Sequence, residues 1–361
     1  MGACSSFIPN EEAQEKAIAI KRSREIELTL VKKKKAGVLE QSLLLLGPGE
    51  SGKSTVFKQI RAMSGSYTKH ELQEKKLQIM QNICAFTRIL LDYARDNCLD
   101  FRPEDAELFE RMYYKLRSFI EKGLDLKPDI VDGLKKFWDT KAIQQAYDKR
   151  YTFHLTDSAA YFFENLDRIK EPDYEPTNQD IVHIRMPTVG VVEADILLKN
   201  IKLSITDCGG QRSERKKWLK YFEDVQLVLF VAAISEYDQR LAEDNDTNRV
   251  EEALRLFWTL FSNKRYFQKS TIILFLNKND IFKEKVKTVP IKKYFPKFEG
   301  ENTYSAGVKF FRNQFKYGID EQYRKKMYVH ETCAISDQVQ LILNTVIDSV
   351  VQDNLKDTGM I

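Results

Sequence analysis

The chain has 361 residues, 43% hydrophobic and 30% charged, a balance that excludes an extended disordered polypeptide and leaves room for two compact units. A formal net charge of +4 is too small at this length to point to nucleic acid, so no nucleic-acid partner is expected. Five cysteines without paired metal spacing argue against a disulfide scaffold, and no apolar run approaches the ~18 residues needed to cross a bilayer.

At the N-terminus, Met1-Gly2-Ala3-Cys4-Ser5-Ser6 fits the acylation pattern M-G-x-x-x-[ST] and predicts a myristoyl group on Gly2; an unmodified terminus is the alternative. One such chain binds membranes only marginally, with an association constant of about 10⁴ per molar, so residence there calls for a second anchor. A palmitoyl group on Cys4 or the four lysines at 32–35 would supply it, although that run reads equally as a solvated helix end. Residues 11–35 lack Gly and Pro and predict an exposed helix in need of a partner.

Residues 47–54 read G-P-G-E-S-G-K-S and meet G-x-x-x-x-G-K-[ST] at every required position. The apolar run Leu43, Leu44, Leu45, Leu46 precedes them and Val56, Phe57 and Ile60 follow, so a buried strand should enter a glycine turn that opens a helix. Gly47 and Gly52 accept backbone angles barred to other residues, which lets successive N–H groups converge on phosphate oxygens at the positive end of that helix. Lys53 supplies charge for the outer phosphates, and the Ser54 hydroxyl is the expected magnesium ligand.

No glycine occurs between 66 and 122, where Ile79, Ile83, Phe86, Leu90 and Tyr93 recur at helix spacing and read as a buried helix face. Helical signals continue over 109–119, 130–138 and 160–169, with Pro103, Pro128 and Pro172 between them, which predicts a helical insertion. Strand character returns with Gly190-Val191-Val192 and the alternating Ile201, Leu203, Ile205. Buried strands over 227–234 and 271–276 flank a helix over 250–261. A short strand over 328–332 leads to a last helix with Val339, Ile342, Val346 and Val350 on one face. This alternation predicts an α/β fold with a doubly wound, mostly parallel sheet and ligands at the carboxyl ends of its strands.

Asp207-Cys208-Gly209-Gly210-Gln211 places a D-x-x-G element at a strand's end, where the carboxylate can hold magnesium through water and Gly210 admits a phosphate. Asn277-Lys278-Asn279-Asp280 has the N-K-x-D form, and an Asp there pairs with the N1–H and amino group of guanine. Adenine offers no such donor pair, which disfavours an ATP-dependent kinase. After the last strand, Thr332-Cys333-Ala334 can close the base pocket with backbone N–H groups.

Four strings carry a family resemblance: G-E-S-G-K-S-T at 49–55, L-T-D-S-A-A-Y-F-F-E-N-L-D-R-I at 155–169, G-G-Q-R-S-E-R-K-K-W at 209–218 and F-L-N-K-N-D at 275–280. Over essentially the whole chain the sequence resembles the alpha subunit of a heterotrimeric G protein. The resemblance implies an acylated N-terminal helix over 1–40, a Ras-like P-loop GTPase domain over 41–67 and 184–361, and an all-helical insertion domain over 68–183. It implies hydrolysis of GTP to GDP and phosphate with Mg²⁺. The implied nucleotide contacts are Gly47, Gly49, Glu50, Ser51, Gly52, Lys53, Ser54, Thr55, Asp157, Ser158, Arg185, Thr188, Asp207, Gly210, Asn277, Lys278, Asp280, Cys333 and Ala334. Among these, Arg185 is the arginine supplied in cis, Thr188 is the second magnesium ligand, and Asp157 and Ser158 reach across the cleft unless they merely cap a helix. Gln211 orients the attacking water.

The resemblance also implies partners: a beta-gamma dimer in the GDP state, a seven-helix receptor read by the last helix and tail, and effectors and GTPase-accelerating proteins at the switch segments. The location it implies is the cytoplasmic face of the plasma membrane, held by lipid. The charged run Arg212, Glu214, Arg215, Lys216, Lys217 would otherwise read as a solvated face; Trp218 beside it marks a partner surface.

The sequence departs from the family's pattern at several points. Pro48 replaces a usual Ala, Pro187 and Val189 stand where Lys and Thr are usual, His183 where Arg is frequent, and Cys208 where Val is usual. A shortened loop begins at Ile335. A second reading therefore stands: a module that binds nucleotide and beta-gamma but hydrolyses poorly because Pro187 and Val189 mis-set the first switch.

Overall fold

The computed structural model describes residues 39–357 except 66, 100–101, 123–126, 199–200, 263–265 and 326. Gly2, Cys4, the helix expected over 11–35 with its lysine run, and the end of the tail at 358–361 lie outside the described residues, as does the side chain of Val350.

Strands β1 (Leu39–Leu46), β2 (Val191–Leu198), β3 (Ile201–Cys208), β4 (Leu227–Ala233), β5 (Thr271–Asn277) and β6 (Met327–Glu331) form one sheet in the order β2-β3-β1-β4-β5-β6. All pairings are parallel except that of the edge strand β2 with β3. The near-continuous apolar runs follow from burial on both faces. Leu44, Leu46, Val228, Phe230, Ile272 and Leu274 point into one core, while Leu43, Leu45, Leu227, Leu229, Ile273 and Phe275 point into the other.

The helices in chain order are α1 (Lys53–Met63), α2 (Lys69–Asp96), α3 (Pro103–Glu121), α4 (Pro128–Asp139), α5 (Lys141–Asp148), α6 (Ser158–Glu164), α7 (Leu166–Ile169) and α8 (Asn178–His183). After the β2–β3 hairpin come α9 (Arg249–Phe261), α10 (Asn279–Lys285), α11 (Tyr304–Tyr317), α12 (Glu321–Lys325) and α13 (Gln338–Asp357). Phe257, Phe311 and Phe315 from α9 and α11 close the first face of the sheet. Val56 and Ile60 from α1, with Val339, Leu343 and Val346 from α13, close the second. Among the described residues no helix is long and apolar enough to cross a membrane.

A third core is built entirely by α2 to α8 and their connections. Ile79, Ile83, Phe86 and Leu90 form the expected buried stripe, with Tyr93 half-buried at its edge, and pack with Phe109, Phe137, Phe162 and Phe163. The structure refines the sequence expectation in three places. The helix expected over 160–169 is two helices, α6 and α7, broken at Asn165, which sits outside helical geometry at φ −103°. Helix α8 has six residues, too few to show a period, and is set by a reciprocal Thr177–Asp180 capping box. Helix α11 escapes a propensity reading because Gly307 stands inside it; a Cβ there would meet Phe282 at 2.6 Å and Ile291 at 2.7 Å, so close packing demands the glycine.

Candidate functional site

The chain order reverses beside β1, which pairs with β3 on one side and β4 on the other, and the crevice at the carboxyl ends of these strands collects the expected residues. Gly49, Glu50, Gly52, Lys53, Ser54 and Thr55 line it together with Asp157, Ser158, Arg185, Thr188, Gly210, Gln211, Asn277, Lys278, Asp280, Cys333 and Ala334. Gly47, Ser51 and Asp207 lie just behind that wall and hold it.

The loop after β1 turns through Gly47 at φ 142° and Gly52 at φ 104°, with Glu50 between them also left-handed at φ 63°. Helix α1 starts directly on Gly52 and carries no side-chain cap, so its first amides face the crevice unpaired by a capping residue. Lys53 Nζ folds back onto Gly47 O at 3.0 Å and Pro48 O at 2.7 Å. Burial pushes its pKa down to about 8, against the opposing pull of Asp207. A buried ammonium beside the uncapped amides that open α1 is suited to an anion. Pro48 costs the loop one donor, and its carbonyl serves as a rest for the lysine.

Ser54 Oγ lies 2.6 Å from Thr188 Oγ1 and donates to Asp207 Oδ2 at 2.8 Å, with Thr188 Oγ1 at 3.4 Å from the same oxygen. Asp207 Oδ1 and Ser51 Oγ are buried and find no hydrogen-bond partner among the described residues. Burial raises the Asp207 pKa despite Lys53 nearby. Two hydroxyls converging on an underpaired carboxylate form an all-oxygen donor set that fits a hard divalent cation such as Mg²⁺, which also keeps water and phosphate ligands.

Arg185 reaches Glu50 Oε1 at 3.0 Å, while Arg249 Nη1 reaches Glu50 Oε2 at 2.6 Å. Burial alone would raise the Glu50 pKa; the charges of Arg249 and Arg185 overcome it and hold it at about 2. Arg249 extends the chain of charge to Glu236 at 3.4 Å, and Glu236 accepts from Lys278 Nζ at 2.7 Å. Sequence reasoning missed Arg249 and Glu236: isolated charges in a charge-rich chain carry no local pattern.

On the far wall, Asp157 occupies the N-cap position of α6 yet makes no capping bond. Its carboxylate accepts instead from Arg150 Nε at 3.0 Å and Tyr151 OH at 3.1 Å, and Lys278 Nζ stands 4.0 Å away. His183 stacks flat on Tyr161 at 3.8 Å with Nδ1 3.4 Å from Ser158 Oγ, and burial drives its pKa down to about 4. It is a neutral ring in the wall.

Asn277 ties two loops together: Nδ2 donates to Ser51 O at 2.9 Å, and Oδ1 accepts from Ala334 N at 2.9 Å. The Ala334 N–H is thus committed to Asn277, and Ala334 contributes to the wall as lining. Asp280 stands at the start of α10 beside Cys333, whose thiol pKa is pushed up to about 12 by burial and by that carboxylate.

The segment after β3 corrects one expectation. Trp218 is buried at 2% exposure and its Nε1 donates to Gly209 O at 2.9 Å, so it packs into the sheet core and presents no partner surface. Two of its charged neighbours are also engaged: Arg215 pairs with Glu252 at 2.7 Å, and Arg212 pairs with Asp244 at 2.7 Å and Glu252 at 3.0 Å. Gln211 is exposed beside Gly49, and Leu219 is the large apolar residue left exposed there.

A sequence profile described as G-protein alpha subunit matches residues 20–350. The guanine nucleotide-binding protein alpha-10 subunit of Caenorhabditis briggsae is 57% identical over 367 aligned positions, covering 100% of both chains. The alpha-3 subunit of Caenorhabditis elegans is 38% identical with the same full coverage, and a guanine nucleotide-binding protein subunit alpha of the fungus Cochliobolus heterostrophus is 39% identical over 94% of this chain and 96% of its own. Profile and relatives agree along the length that the crevice residues span: the chain belongs to the G-protein alpha subunit family.

Proposed function

We propose that this alpha subunit works as a magnesium-dependent molecular switch on a membrane, coupling a receptor to an effector through the nucleotide in its crevice. The chain is a GTPase, with a Ras-like domain and a helical domain. The observation that carries the reading is one crevice holding a buried lysine in an amide cradle, an underpaired carboxylate with two hydroxyls, and the N-K-x-D aspartate.

In this reading the loop amides of 47–52 and Lys53 hold the phosphates, and Asp280 selects guanine by accepting from its N1–H and amino group. Ser54, Thr188 and, through water, Asp207 would hold Mg²⁺, which when bound neutralises charge on the outer phosphates. Arg185 leaves Glu50 to stabilise the charge that spreads over the transferring phosphoryl group. Gln211 donates and accepts to align the water opposite the leaving oxygen. The domain limits proposed are 41–67 with 184–361 for the GTPase domain and 68–183 for the helical domain, supported by the separate helical core.

The GDP form binds beta-gamma through residues 1–40 and the 211–218 segment, with Leu219 just beyond it, rather than the buried Trp218, as the exposed apolar residue. The receptor engages α13 and the tail, and effectors and GTPase-accelerating proteins meet the switch segments. Acyl groups on Gly2 and Cys4 hold the subunit to the cytoplasmic face of the plasma membrane. The alternative of a weak hydrolase draws on Pro187, which lines the crevice one residue before Thr188.

Single-turnover phosphate release from GTP-loaded protein tests these assignments. Gln211→Leu and Arg185→Cys should each slow it by roughly a hundredfold or more while guanine nucleotide affinity holds. Unchanged hydrolysis in either variant removes that residue's role, and slow hydrolysis by the unaltered protein favours the alternative.

A further inference from the structure

Asn82 stands on α2 three residues after Ile79, at a place the apolar stripe would give to a hydrophobic side chain, and is only 6% exposed. Its amide is spent on the main chain of one distant residue: Oδ1 accepts from Arg185 N at 2.6 Å, and Nδ2 donates to Arg185 O at 2.9 Å. A primary amide offers an acceptor and a donor side by side, so the pair fixes both backbone groups of Arg185 at once. The preceding residue is held from the opposite side, where Lys58 Nζ on α1 donates to Ile184 O at 2.5 Å. The backbone at 184–185 is therefore clamped between α1 and α2, while the Arg185 guanidinium at its outer end rests on Glu50.

The geometry points to Asn82 as a positioning residue for Arg185. It fixes the pivot from which the guanidinium swings between Glu50 and the phosphoryl group, so hydrolysis depends on it and nucleotide binding does not. A residue that only filled its place in the helical core would serve as well if apolar. Both polar bonds of Asn82 instead go to the residue that carries the arginine. The inference rests on the role proposed for Arg185.

The test is single-turnover hydrolysis by the full chain in four forms: unaltered, Asn82→Ala, Arg185→Ala and the double variant. Asn82→Ala should slow hydrolysis about tenfold to a hundredfold, the penalty of an ångström-scale misplacement. Its dissociation constant for a non-hydrolysable GTP analogue should stay within about threefold. In the Arg185→Ala background the same substitution should cost nothing further, as for residues that act as a unit. Asn82→Asp, which keeps the acceptor and loses the donor, should fall between, and it carries the comparison if Asn82→Ala does not fold. Unaltered hydrolysis in the Asn82 variants, an equal loss in both backgrounds, or a parallel loss of analogue binding overturns the inference. If Arg185→Ala alone hydrolyses normally, the arginine assignment has failed and the positioning role falls with it.

Discussion

A methyl group on Gly210 would lie 2.6 Å from the carbonyl of Pro48 and run into the Lys53 ammonium. One on Gly52 would strike the Asn277 amide at a backbone angle, φ 104°, that side chains rarely adopt. The two glycines are thus the points where the phosphate loop is approached by the strand-end segments after β3 and β5. Gly52→Ala should weaken guanine nucleotide binding by at least tenfold in an equilibrium titration, since Asn277 must move and release Ser51 and Ala334. Unchanged affinity would mean that the Asn277 tie between the loops is dispensable. Gly47, Gly52, Lys53, Ser54 and Asp207 were legible in sequence because phosphate chemistry demands fixed spacings of them. Asn82 had a signal too, a polar residue in an apolar helix stripe. Arg249, Glu236 and Lys58 had none, because their importance arises from distant side chains meeting across the crevice.

Among the described elements, α8 is anchored by one heavily bonded side chain, Asp180. Asp180 is fully buried and accepts from Arg168 at 2.6 and 2.8 Å, Tyr161 at 2.8 Å, Tyr174 at 3.0 Å and the Thr177 N–H at 2.8 Å. Burial alone would raise its pKa; Arg168 and the other donors outweigh it and hold the carboxyl well below the ordinary range. Asp180→Ala leaves donors on four residues without their acceptor and should destabilise the helical part by about 3 kcal/mol, read as a lowered unfolding midpoint in urea. A loss under about 0.5 kcal/mol would show that the hub is solvated and worth little. The sign of the pH dependence follows from the lowered value. The contribution is complete above the ordinary carboxylate pKa and is lost as pH falls toward the folded value, so wild type and variant should converge in acid. The strands and long helices were legible from period and apolar runs. Helices α5 and α8 were not, because six to eight residues give too few turns for a period to emerge, and α8 is set by its capping box.

At the scale of the whole molecule, the helical core and the two sheet cores share no buried apolar cluster among the described residues. The contacts that join their surfaces include Arg249 to His154 at 3.3 Å, Lys278 to Asp157 at 4.0 Å, Gln179 to Asp337 at 3.0 Å, Arg61 to Glu71 at 2.5 Å, the Lys285 ammonium over the Tyr151 ring and the Asn82 pair. Gln179–Asp337 is exposed while the others are partly buried, and polar bonds of this kind contribute about 1 kcal/mol each, so without a shared apolar interface they are too few to make the two parts melt as one. The crevice between them is lined from both sides, by Asp157 and Ser158 on one wall and by Lys53, Asn277 and Asp280 on the other. A ligand seated there joins the parts through its own contacts. Guanine nucleotide at a hundredfold excess over its dissociation constant should therefore add about 2.7 kcal/mol by mass action alone. Calorimetry should show two transitions without nucleotide and a single, higher one with GDP and Mg²⁺, displaced by several degrees, at roughly 2–4 °C per kcal/mol. ATP at the same concentration should leave the two-transition profile in place. A merged, nucleotide-insensitive transition would show that the polar contacts couple the parts on their own, and a profile shifted equally by ATP would remove Asp280 as the group that selects the base.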